Sequence, residues 1–135
     1  MHFVDHFSFM KGGDANTRDI EQQKLYHADP YRRDSFSYGF FHSMLKNHTK
    51  IKRQPPRDLP LLLISGTRDR VGGKGLFIRS LYKAYLKNHM KDLTLLLYKD
   101  GRHELLNDII YQNVQNDVLD FYEHALNEKI YGDSL

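Results

Sequence analysis

The chain has 135 residues, of which 40% are hydrophobic and 27% charged, with a formal net charge of +3 and no cysteine. One domain fits that length, and the balance of apolar and charged residues carries no signature of disorder. The missing thiols exclude disulfide scaffolds, thiolate metal sites and cysteine nucleophiles, and they fit a reducing, cytoplasmic compartment.

Residues 1–10 are interrupted by His2, Asp5 and His6, so no signal peptide is read there. No apolar run approaches the roughly 18 residues that a membrane span needs. His2 and His6 have helical ligand spacing, but no third ligand accompanies them, and neither a metal nor a cofactor is expected. A start at Met1 fits either a truncated reading frame or a genuine short protein.

Up to residue 57 the chain is irregular, aromatic and basic. Gly12-Gly13 and Asp29-Pro30 act as breakers, and a short helix is predicted between them over residues 17–27. A second is predicted over 38–51, where Phe41, Met44, Leu45 and His48 recur at helical spacing until Pro55-Pro56. Lys46, Lys50, Lys52, Arg53 and Arg57 read as a solvated surface, not a nucleic-acid stripe, since no recognition motif accompanies them. Phe3, Phe7, Phe9, Phe36, Phe40 and Phe41 have two readings, the lining of an apolar pocket or a face packed against more of the sheet, and the second is favoured because apolar surface must be covered.

The remainder, residues 58–135, is more regular. Residues 59–64 form a near-continuous apolar run, LPLLLI, suited to a parallel strand buried on both faces. A glycine-rich turn over 65–75 leads to an amphipathic helix over 76–90, with Ile78, Leu81, Tyr82, Tyr85 and Leu86 on one stripe. A second buried strand, LTLLLY, follows at 93–98. A polar loop over 99–103 then leads to a last helix, with Leu106, Ile110, Val114, Val118, Phe121, Tyr122 and Ala125 on its stripe. Strand, helix, strand, helix with a right-handed crossover gives an α/β fold with two parallel strands. Functional groups in such sheets sit beyond the carboxyl ends of the strands. Asp69 follows the first strand and His103 the second.

Two segments carry a resemblance: PLLLISGTRDRVGGKG at 60–75 and LTLLLYKDGRHELLN at 93–107. They are similar to the last two strands of α/β-hydrolases of the serine-aminopeptidase-like group, with its monoacylglycerol lipases and lysophospholipases. In that group a Gly-x-x-Asp-Pro-Val-Gly turn carries the triad acid, which falls here on Asp69. A Gly-x-His-Glu segment carries the general base, which falls on His103, beside Gly101 and Glu104. Arg70 stands where the family has proline. The order, acid before histidine, agrees with that fold. TRDIEQQKLYHADP at 17–30 resembles the lid-region helix of the same group.

The resemblance implies a partial α/β-hydrolase fold, with a lid-like segment at 1–57 and a β-α-β-α part at 58–135. It implies carboxylic ester hydrolysis on acyl esters or lysophospholipids, with Asp69 orienting His103 and His103 activating a serine. No Gly-x-Ser-x-Gly nucleophile elbow occurs in the chain. Ser43, in FHSML, has Phe41 and Leu45 in place of the glycines. A nucleophile-bearing hydrolase half is therefore one implied partner. The alternative is a non-catalytic truncated hydrolase that self-associates as a binding module and so covers its open sheet. Nearby motifs fail: H-E-x-x-H would need histidine where Asn107 stands, and a Walker loop would need other residues at Arg68 and Gly75.

Overall fold

A computed structural model of the chain describes residues 13–31, 37–48 and 54–131. Its described elements are α1 (Gly13–Asn16), α2 (Ile20–Ala28), α3 (Tyr38–His48), β1 (Leu61–Gly66), α4 (Leu76–Lys87), β2 (Leu93–Tyr98), a 3-10 turn (Leu105–Asn107) and α5 (Tyr111–Tyr131). β1 and β2 pair in parallel, with Leu61 opposite Leu93 and Gly66 opposite Tyr98. The strands are thus in phase, and both carboxyl ends emerge at one edge of the sheet. Helix α4 makes the crossover and packs on both strands. This is the α/β fold expected: two parallel strands flanked by helices, a partial α/β-hydrolase fold.

The boundaries differ from expectation for local reasons. Strand β1 begins two residues later than predicted, because a turn with the Leu59 N–H on the Pro56 carbonyl occupies the approach. Helix α2 starts at Ile20 rather than residue 17. Asp19 is extended at ψ 117° and caps the helix, its carboxylate accepting the N–H groups of Glu21 and Gln22. Its far end stops at Asp29, which Pro30 holds out of the helical region. Helix α3 is described over Tyr38–His48, and residues 49–51, the rest of the predicted helix, lie outside the described ones.

Helix α4 ends three residues before the predicted stop. His89 is left-handed at φ 60°, the His89 N–H meets the Leu86 carbonyl, and the Met90 N–H meets that of Tyr85. That is a Schellman termination, with Met90 buried as its apolar contact. The last helix starts only at Tyr111, because Asp108 is extended and splits off the 3-10 turn.

The core is thinner than the apolar strands suggest. Among the described residues only Ala15, Met90, Leu105 and Val114 are fully buried hydrophobics. The strands, expected to be buried on both faces, are half-buried along most of their length. On α4, Ile78, Tyr82 and Tyr85 are half-buried, whereas Leu81 and Leu86 are exposed. On the last stripe Val114 is buried, but Leu106 and Tyr122 are exposed, and Leu105 takes the inward position expected of Leu106.

Two glycines decide how close the strand ends come. A Cβ at Gly66 would lie 2.1 Å from the Gly101 carbonyl oxygen, and one at Gly101 would lie 2.8 Å from Leu105 Cδ2. The ladder continues past the strands through this contact: the Thr67 N–H donates to the Tyr98 carbonyl and the Arg68 N–H to that of Gly101. Gly66→Ala should therefore lower the unfolding free energy by about 3 kcal/mol or more in urea denaturation. Gly39→Ala in α3, where the nearest atom is 3.8 Å away, should cause no loss.

Strand β2 is tied to α5 by the Tyr98 hydroxyl, which donates to Asp117 Oδ2 at 2.8 Å. Burial first, then the hydrogen bond and charge of Asp117, hold the phenol protonated well above the ordinary tyrosine range. The folded state therefore binds this proton more tightly than the unfolded state. Its contribution to stability is complete below about pH 10, the unfolded tyrosine value, and is lost as pH rises through the folded one. Unfolding measured across the alkaline range should show this decline, and Tyr98→Phe should flatten it.

Candidate functional site

Asp69 stands three residues beyond β1 in a turn that it builds itself. Its N–H donates to the Gly66 carbonyl, and its own carbonyl accepts the Lys74 N–H. Its Oδ1 accepts the Val71 N–H at 2.9 Å and the Gly72 N–H at 3.0 Å. These bonds hold the turn with Arg70 in place. Gly72 is required for space: a Cβ there would lie 2.7 Å from Asp69 Oδ2. Gly73, Lys74 and Gly75 are all left-handed, at φ 65°, 56° and 82°, and turn the chain into α4.

His103 stands five residues beyond β2. The turn before it is closed by the Gly101 N–H on the Tyr98 carbonyl, and the Asp100 N–H donates to Thr67 Oγ1 at 2.8 Å. An exposed ion pair, Arg68 Nε to Asp100 Oδ1 at 2.7 Å, spans the two turns. His103 Nδ1 lies 3.1 Å from Asp69 Oδ1. In the tautomer that carries its proton on Nδ1, this nitrogen donates to the carboxylate and Nε2 is left as an acceptor. The Asp69 side chain is 10% exposed and that of His103 45%. A shielded carboxylate thus backs an imidazole open to solvent.

Residues Asn16, Thr17 and Arg18, just before α2, clasp the histidine loop. Asp108 is fully buried; its Oδ1 accepts Arg18 Nε at 2.9 Å and Nη2 at 2.6 Å, and its Oδ2 accepts the Arg18 N–H at 3.2 Å. Thr17, also buried, donates its hydroxyl to the Asn107 carbonyl at 2.6 Å. The Glu104 N–H donates to the Asn16 carbonyl, Asn16 Nδ2 to Glu104 Oε1, and Arg102 Nη1 to the Thr17 carbonyl. Removing one partner of the Arg18–Asp108 pair would strand a buried charge, at a cost of about 3 kcal/mol.

Of the residues singled out from sequence, Asp69 and His103 are brought together. Ser43 is exposed on α3, and among the described residues no hydrogen bond links it to His103. His2, His6, Phe3, Phe7, Phe9, Phe36, Lys50, Lys52 and Arg53 lie outside the described residues. Among the described residues no group of three His, Cys, Asp or Glu is placed to hold a metal ion. No helix among them is long and apolar enough to cross a membrane. Arg18 and Asp108 were missed, because their partnership spans 90 positions and leaves no local pattern.

The two strands are parallel and in phase, with Asp69 and His103 in the turns beyond their carboxyl ends. The family model described as serine aminopeptidase, S33, matches residues 6–110, which include both strands and both turns. The chain belongs to that α/β-hydrolase family. No curated protein matches the chain significantly.

The Asp69 carboxylate has two tasks that substitutions can separate. Asp69→Ala removes the acceptor of two backbone N–H groups and should destabilise by about 1–2 kcal/mol. Asp69→Asn keeps an acceptor oxygen and should cost less than half as much. Equal losses for the two variants in chemical denaturation would contradict this account of the turn.

Proposed function

We propose that the chain is the acid-and-base portion of a serine hydrolase that cleaves carboxylic esters of the lysophospholipid or monoacylglycerol kind. The observation that carries this reading is the Asp69–His103 hydrogen bond at the ends of two adjacent parallel strands. In this reading a serine from a nucleophile-bearing half approaches His103 Nε2. The serine Oγ attacks the ester carbonyl while Nε2 takes its proton, and Asp69 stabilises the imidazolium. His103 then gives that proton to the departing alcohol, leaving an acyl-serine. A water attacks the acyl carbon as His103 takes its proton, and the return of that proton releases the free serine. The exposed Leu76, Phe77, Leu81 and Leu86 of α4 and the half-buried strands support a second half that covers them.

The same apolar exposure supports a second reading, in which copies of the chain cover one another and no chemistry takes place. Incubation with a fluorophosphonate probe, read by intact-mass spectrometry, separates the two. The chain alone should give no adduct. Reconstitution with a Gly-x-Ser-x-Gly half of the same family should give a stoichiometric adduct and ester hydrolysis. His103→Ala should lower that hydrolysis by on the order of 1,000-fold or more. An aminoacyl anilide assayed alongside a glycerol monoester reads the preference between amide and ester. A reconstituted pair without hydrolysis of either substrate would leave the self-associating module, which light scattering would show as an oligomer.

A further inference from the structure

The Asp108 carboxylate is fully buried, and the chemistry proposed above has no use for it. It is not a helix cap. The Tyr111 N–H at the start of α5 goes to the Asp108 backbone carbonyl, while the side chain turns away to Arg18. What it holds is the loop that carries His103. The imidazole is 45% exposed, and Asp69 is its one side-chain partner among the described residues. Packing therefore does little to choose its orientation, and the backbone on either side must do so. Arg102, Glu104, Asn107 and Asp108 are each bonded to Asn16, Thr17 or Arg18. These contacts cross 85 to 90 positions of chain. The strongest is the Arg18–Asp108 pair, in which three donors meet one buried carboxylate.

We propose that Arg18 and Asp108 are positioning residues for His103: their ion pair fixes the loop so that Nδ1 faces Asp69. The segment before α2 then acts on the histidine from outside the sheet, and a displacement of that segment is transmitted to the imidazole. This inference rests on the reading of Asp69 and His103 as a hydrogen-bonded pair.

The test uses the full chain, labelled with nitrogen-15, at mildly alkaline pH. The imidazole nitrogen shifts report which tautomer His103 adopts. A free imidazole favours the proton on Nε2, whereas the bond to Asp69 requires it on Nδ1. In a folded Arg18→Gln variant the ratio of Nδ1–H to Nε2–H should fall by about fivefold, the worth of one net hydrogen bond. Arg18→Lys, which keeps the charge but not the two-nitrogen contact, should recover part of the loss. A folded R18Q with the parent ratio overturns the proposal. Should R18Q fail to fold, Arg18→Lys decides in its place. A lowered ratio supports the proposal, and an unchanged one overturns it. Asp69→Asn must itself shift the ratio. If it does not, the fault lies in the Asp69–His103 pairing and not in the Arg18–Asp108 pair.

Discussion

Where Gly66 passes Gly101, the two backbones approach too closely for position 66 to carry a side chain, and a Cβ at 101 would press on the Leu105 side chain. The rest of the site depends on that contact. Parallel pairing in phase brings the two strand ends to one edge, but by itself leaves the following turns free to diverge. The Arg68 N–H on the Gly101 carbonyl and the Asp100 N–H on Thr67 Oγ1 join them beyond the last ladder rung. Asp69 and His103 then have little freedom to miss each other. The function proposed for the pair would need this kind of constraint, since a displacement of about 1 Å in a catalytic site costs on the order of 100-fold in rate.

The Asp69 and His103 turns are held by different means. Around Asp69 the carboxylate organises its own turn through the Val71 and Gly72 N–H groups, so position and structure are one feature. Around His103 the loop is shaped from a distance by Asn16, Thr17 and Arg18. One side of the pair is thus locally encoded, and the other depends on a segment near the opposite end of the chain.

That difference explains what could be read in advance. LPLLLI and LTLLLY announce strands, and the glycines after the first announce a turn, because these signals are local. That Asp69 and His103 come together was legible because each lies in the turn after one of two neighbouring strands. The ends of α2 and α4 were set by Asp19 and by a left-handed His89, which apolar periodicity does not report. The split between the 3-10 turn and α5 follows from Asp108, whose partner lies 90 positions away. The degree of burial was misjudged for a related reason. An apolar strand records what the sheet is built to touch, and the described residues cover only part of β1, β2 and α4.

The account stands on the orientation of one imidazole, and proton NMR of the labelled chain observes it most directly. If His103 donates Nδ1–H to Asp69 Oδ1, that proton resonates at low field, exchanges slowly and shows Overhauser contacts to the Val71 and Gly72 amide protons, which point at the same oxygen. A His103 ring proton found only on Nε2, in fast exchange and without those contacts, would contradict it.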